Sequence, residues 1–199
     1  MSLQNKFTTV FKTPFFEIQE SDEKFGDEQL PYFRYSSNDS VIASIFDQNG
    51  DMILVEQFRN NLNKKTIEFP AGDVNDKESI DISIEREVIE ETGYKCKFIY
   101  LGAYRLMLNR TNMKHHLFIG FDSIKLKSNM SNEVGIKPVI ISREKIKQDI
   151  FNEQCIEQLA AFGILFLIEK KIGINIFDDT WLDISKKLRY MYNHNDKKK

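Results

Sequence analysis

The segment running from Gly72 through Tyr94 constrains this chain more than any other. It reads Gly72-Asp73-Val74-Asn75-Asp76-Lys77-Glu78, seven further residues, and then Arg86-Glu87-Val88-Ile89-Glu90-Glu91-Thr92-Gly93-Tyr94. The pattern after Glu78 predicts one helix that ends where Gly93 supplies a left-handed C-cap. At about 100° per residue, Glu87, Glu90 and Glu91 fall in one sector roughly 100° wide. Like charges that close repel. The cluster therefore costs free energy unless a cation occupies it, and hard divalent cations suit carboxylate oxygens. An arbitrary acidic helix face is more often a solvated surface with Lys or Arg partners, but the joint spacing of Gly, Arg and Glu sets this segment apart. Ile82, Val88 and Ile89 are expected to pack on a sheet, while Ile80 and Ile84 continue the Glu87/Glu91 line.

Flanking patterns supply the sheet. Residues 41–46 and 52–57 are apolar and β-rich, joined across Asn49-Gly50, a strong hairpin signal. Further strands are expected over 98–107, 117–121 and 139–141. Two short strands at 15–19 and 32–35, around a polar stretch at 20–29, suggest a small N-terminal sheet. Ser142 resembles the N-cap of a short helix. Residues 155–170 have the apolar content of a buried helix, and a last helix spans 180–192 before a polar tail. Periodicity alone gives an α/β or α+β fold.

Composition excludes several classes. The 199 residues carry a formal net charge of −2, which argues against a protein that coats nucleic acid. No apolar run approaches the roughly 20 residues of a membrane span, and no signal-peptide layout opens the chain; a cytoplasmic location without membrane association is the expectation. Cys96 and Cys155 lack metal-ligand spacing and read as buried thiols of a reducing compartment, with a disulfide as the less favoured alternative.

The Gly72–Tyr94 pattern resembles the Nudix box: Gly, five residues, Glu, seven residues, Arg-Glu, an aliphatic, any residue, Glu-Glu, any residue, Gly and an aliphatic. Every fixed position is filled; Tyr94 alone stands where an aliphatic is usual. The resemblance implies an α/β/α sandwich with a mixed central sheet, here with the N-terminal strands as an extension: residues 1–39 a dimerisation and substrate-pocket element, residues 40–199 the main domain. It implies Mg²⁺, with Mn²⁺ as a substitute, held by Glu87, Glu90, Glu91 and the Ala71 carbonyl. Glu90 and Glu91 also enter as catalytic, while Gly72, Glu78, Arg86 and Gly93 are structural, with Arg86 orienting the glutamates together with Glu78. Gly72 permits close approach of loop and helix.

Glu56-Gln57-Phe58-Arg59 and Ile67-Glu68-Phe69-Pro70-Ala71-Gly72 look like pieces found in ADP-ribose pyrophosphatases and related nucleotide-sugar hydrolases. The resemblance places Arg59 and Glu68 on the substrate side; on their own chemistry Arg34, Arg110 and Asn112 are further substrate-binding candidates, with Lys114 a further phosphate contact. It also implies a homodimer built through the N-terminal strands. Residues 106–116 replace the Ser-Pro-Gly-like loop of ADP-ribose hydrolases, and neither His115 nor His116 is assigned a catalytic role. Glu133 is the candidate general base, one residue out of register with the acidic loop of related enzymes. The implied activity is hydrolysis of the pyrophosphate of ADP-ribose or a similar nucleoside diphosphate sugar. GDP-mannose or another nucleoside diphosphate derivative, dinucleoside polyphosphates or oxidised nucleotides, and a non-catalytic nucleotide sensor are the alternatives.

Overall fold

A computed structural model describes residues 6–25, 28–126, 135–151 and 159–195. Its first three strands, β1 (Thr8–Lys12), β2 (Glu17–Phe25) and β3 (Glu28–Ser36), form an antiparallel sheet in sequence order. The polar stretch at 20–29 therefore lies mostly inside strands rather than between them. Much of this sheet is exposed, so the apolar alternation that marks a half-buried strand is weak here. β1 was not foreseen for the same reason.

The second sheet contains β4 (Ser40–Phe46), β5 (Met52–Arg59), β6 (Lys64–Glu68), β7 (Ala71–Asp73), β8 (Tyr94–Tyr104), β9 (His115–Lys125) and β10 (Ile136–Ile141). Its path is β10-β5-β4-β9-β8, with β6 on β5 and β7 on β4. Only β4 and β9 run parallel among these pairings, which makes the sheet mixed. β4 is shared along its length. Ile45 and Phe46 pair with β5, while Ser40, Val41 and Ile42 pair with Asp73, Gly72 and Ala71 of β7. The start of the acidic segment is thus anchored beside the central strand.

The strand alternation sorts the core into two layers. Val41, Ala43 and Ile45 pack with Ile84 and Val88 of helix α1 (Ile80–Thr92). Ile42 and Phe46 face the other side, toward α2 (Arg143–Phe151), α3 (Leu159–Leu167), the π-helical turn Ile168–Ile172 and α4 (Trp181–Asn195). The result is the α/β/α sandwich that the resemblance implies. Among the described residues no helix is long and apolar enough to cross a membrane.

Local signals account for the element ends. Ser79 caps α1 by accepting from the Ile82 N–H at 3.3 Å, and Gly93 closes it at φ 74°. Ser142 accepts from Lys145 N, and Thr180 from Asp183 N, each at 3.2 Å. In the β4–β5 loop the Asp47 carboxylate accepts from Asn49 N and Asp51 N. Other features differ from expectation. The strand expected at 98–107 starts at Tyr94 and stops at Tyr104, β6 and β7 were not read, and Ile82 is exposed instead of packed. The expected helix at 155–170 is described only from Leu159.

Candidate active site

Pairing of β7 with β4 brings Gly72 under the C-terminal half of α1. A Cβ on Gly72 would stand 2.0 Å from the Glu87 carboxyl carbon. That clearance, rather than an unusual backbone angle, is what glycine provides there. Glu91 reaches the same strand, accepting from the Ala71 N–H at 2.9 Å. Glu87 and Glu91 are both buried, whereas Glu90 is half-exposed. The acidic sector therefore faces inward against β7 at two of its three carboxylates. It sits on the same flank as buried Ile84.

Arg86 organises the cluster. Its Nε and one terminal nitrogen donate to the two Glu78 oxygens at 3.0 and 3.1 Å, and the latter nitrogen also donates to the Asp73 carbonyl at 3.0 Å. The other terminal nitrogen donates to Glu87 at 2.7 Å and Glu90 at 3.2 Å. Five acceptor atoms are thus held by one planar fork, a geometry lysine cannot copy. Ser83 donates to Glu78 at 2.9 Å. The Arg86 hydrogen bonds, aided by those from Ser83 and the Asn75 main chain, hold the Glu78 carboxyl down at about 2, while Arg86 is held above its ordinary value chiefly by Glu78. Burial pushes the Asp73 carboxyl up, with Arg86 opposing.

The depressed Glu78 value has a sign. A carboxylate stabilised by folding adds stability above its unfolded pKa and loses it as pH falls through its folded one. Glu78→Gln is expected to remove stability that the parent holds above pH 4.5 and sheds toward pH 2. Chemical denaturation at successive pH values reads this directly. Superimposable acid limbs for parent and variant would contradict it.

The donor set suits a hard cation, since it consists of carboxylates beside a glycine that leaves room for them. As placed, Glu87 and Glu90 face Arg86 and Glu91 faces the Ala71 N–H; among the described residues no three Asp, Glu, His or Cys side chains are gathered in a metal-holding geometry.

Arg59 and Glu68, both placed on the substrate side by sequence, meet each other. Arg59 donates in a bidentate pair at 2.7 and 2.5 Å, and Thr66 donates to the same carboxylate at 2.6 Å. Burial alone would raise Glu68, but the bonds from Arg59 and Thr66 outweigh it and leave the group below its ordinary value. Thr66 was missed by sequence reasoning, although its i, i+2 relation to Glu68 on a strand signals a shared face.

Arg34 and Arg110 come together. They line a cavity of about 370 Å³ with Ile18, Pro31, Phe33 and Tyr35. Arg34 donates to Gln19 at 2.8 Å and lies 3.7 Å from the Phe7 ring centre, while Arg110 lies 5.4 Å from that of Tyr32. Asn112 does not join them; its side chain is exposed and its carbonyl accepts from Arg105. A larger cavity, about 460 Å³ between Asp47, Lys97, Asp122, Trp181 and Arg189, lies at the far end of β4 from β7. There Asp122 already accepts from Lys97 and Arg189. Glu133 and Cys155 fall outside the described residues. Burial pushes the Cys96 thiol up to about 11.

This loop and helix, following β7 of a mixed sheet flanked by helices, define a recognisable class. The NUDIX domain family matches residues 37–152, more than half of the chain, and the chain belongs to the Nudix family. It is 32% identical to an ADP-ribose pyrophosphatase of Bacillus subtilis (strain 168) over 103 residues, 48% of this chain and 54% of that one. It is 29% identical to a methanol dehydrogenase activator of Bacillus methanolicus over 93 residues, 46% and 50% of the two chains. The chain thus spans about half the length of these curated relatives. A solved structure described as an ADP compounds hydrolase superimposes with a TM-score of 0.70, covering 87% of this chain and 97% of that one at 18% identity, which speaks for the fold alone.

Proposed function

We propose that the protein is a Mg²⁺-dependent hydrolase of the pyrophosphate linkage in ADP-ribose or a similar nucleoside diphosphate sugar, releasing a nucleoside monophosphate and a sugar phosphate. The observation that carries this reading is the packing of Glu87 and Glu91 against Gly72 and Ala71, with Arg86 holding Glu78, Glu87 and Glu90 in one array. Similarity to an ADP-ribose pyrophosphatase supports the substrate class.

In this reading Glu87, Glu90, Glu91 and the Ala71 carbonyl hold the metal. Bound there, the metal neutralises pyrophosphate oxygens and lowers the pKa of the attacking water. Arg86 keeps the carboxylates aligned and offsets their mutual repulsion before substrate arrives. The Arg59 fork suits a phosphate oxygen pair, and Glu68 fixes that fork. Arg34 and Arg110 offer positive charge beside Tyr35 and Phe33, the mix that a nucleotide's phosphate and base require. Glu133 is assigned as general base, and Glu133→Gln is expected to lower kcat more than it raises KM. The reading includes a cytoplasmic homodimer assembled through β1–β3; sedimentation equilibrium is expected to return a dimer mass, and a monomer would contradict this.

Because the Arg59 guanidinium is half-exposed and already aligned by Glu68, Arg59→Ala is expected to raise KM about tenfold with a smaller effect on kcat. Unchanged kinetics would make the pair purely structural. Substrate class is tested by coupled phosphate release with Mg²⁺ over ADP-ribose, GDP-mannose, other nucleotide sugars, dinucleoside polyphosphates and nucleoside triphosphates. Selective cleavage of ADP-ribose or a close nucleoside diphosphate sugar supports the reading. Turnover of none of them contradicts it and favours a nucleotide sensor.

A further inference from the structure

Asp39 occupies the short link between β3 and β4, at the meeting point of three segments. Its Oδ1 accepts from the Lys114 N–H at 2.8 Å, and its Oδ2 lies 3.3 Å from His116 Nε2. Its main-chain carbonyl accepts from Val74 N at 2.8 Å, directly after β7. The neighbouring Ser40 N–H donates to the Lys114 carbonyl at 2.9 Å. The loop between β8 and β9, which carries Arg110, is thereby fastened to the same link that fastens the acidic loop between β7 and α1. The middle of this loop is held by β3, where Tyr35 N donates to the Arg110 carbonyl at 2.8 Å and the Tyr32 hydroxyl donates to Asn109.

His116 makes the arrangement directional. With Nε2 protonated, the imidazole donates to Asp39, and its Nδ1 accepts from the Tyr100 hydroxyl at 3.1 Å. The His116 side chain is only 12% exposed, so the ring is held by its surroundings as well as by these bonds. It packs beside Tyr100, whose ring lies against Phe118 over the α1-side core. One carboxylate thus joins a core-packed imidazole, the end of the β8–β9 loop and, through its own backbone, the acidic loop.

We propose that Asp39 is a positioning residue, holding the β8–β9 loop and its Arg110 at a fixed setting relative to the box carboxylates so that a substrate is met by both at once. The proposal rests on the hydrolase reading above. It assigns Asp39 no contact with the reacting atoms. Loss of the carboxylate frees the Lys114 N–H and the His116 Nε2–H together, and the loop is left to β3 and to the one backbone bond from Ser40 N to the Lys114 carbonyl. Such slack reduces capture of substrate more than the chemical step, because the box itself keeps its Arg86 and Ala71 bonds.

The test compares Asp39→Ala and Asp39→Asn with the parent, using whichever nucleoside diphosphate sugar the parent cleaves and, independently of any substrate, amide hydrogen exchange at Lys114. The Asn carboxamide keeps an acceptor for Lys114 N, and its amino group meets His116 once the imidazole carries its proton on Nδ1 toward Tyr100. Expected for Asp39→Ala are a KM about tenfold higher, a kcat within about twofold, and clearly faster exchange at Lys114. Asp39→Asn is expected to recover most of both. Parental KM and parental exchange in Asp39→Ala would overturn the proposal, as would a fall in kcat with KM unmoved. If the parent cleaves no nucleoside diphosphate sugar, the hydrolase reading fails on its own, and the Lys114 exchange rate alone decides whether Asp39 holds the loop.

Discussion

Glu91→Gln is expected to lower kcat/KM for Mg²⁺-dependent hydrolysis on the order of 10³-fold, the scale seen when a group that stabilises transition-state charge is removed. The substitution is nearly isosteric, and a Gln Oε1 can still accept from the Ala71 N–H that Glu91 now satisfies. Fold and thermal stability should therefore change little, by about 1 kcal/mol or less. What the variant loses is one negative charge from the array. The comparison separates chemistry from structure: steady-state rates with a Mg²⁺ titration report the first, and a melting curve reports the second. Parental activity in this variant would remove Glu91 from the machinery.

Gly72→Ala is the second large effect, and it arises from space alone. The added methyl would fall 2.0 Å from the Glu87 carboxyl carbon and 2.1 Å from one of its oxygens. Either β7 moves away from β4 or the Glu87 carboxylate swings off Arg86. The second is easier, because a side-chain terminus moves at lower cost than a paired strand. Activity is expected to fall about 10²-fold, as happens when a reacting group is displaced by about 1 Å. Destabilisation should stay within about 1–3 kcal/mol, the usual range for overpacking. Rate and urea midpoint measured on the same preparation distinguish the outcomes. Full activity would show that Glu87 need not lie against Gly72. Global unfolding would show instead that the β4–β7 pairing has no slack.

The parts of this molecule that sequence disclosed are those fixed by local rules. The i, i+3, i+4 spacing of Glu87, Glu90 and Glu91, the Gly93 and Ser142 caps and the Asn49-Gly50 hairpin each depend on residues close in the chain, and each is found in place. The Arg86–Glu78 pair was also legible, through resemblance, and is present at 3.0 Å. Long-range geometry was not. Nothing local tells that β7 displaces β5 from the first half of β4, yet that exchange buries Glu87 and Glu91 and turns them inward. The mutual pairing of Arg59 and Glu68 was likewise hidden: the β5–β6 register sets Val55 opposite Glu68 and Arg59 opposite Lys64, so the two share a face but the Arg59 side chain reaches four positions along β6 to its partner. In the N-terminal sheet, exposure left little apolar pattern to read, so polar residues 20–29 gave no strand signal. Asp39 was invisible for a further reason: its partners Val74, Lys114 and His116 come from segments distant in sequence.

The most direct test of the central claim is product analysis by ³¹P NMR on purified protein with ADP-ribose, in Mg²⁺ and again in excess EDTA. The account predicts AMP and ribose 5-phosphate in equal amounts with Mg²⁺, neither with EDTA, and neither from Glu91→Gln on the same time scale. Cleavage that persists in EDTA, or that is undiminished in Glu91→Gln, would contradict the assignment of the box carboxylates as the metal-dependent centre.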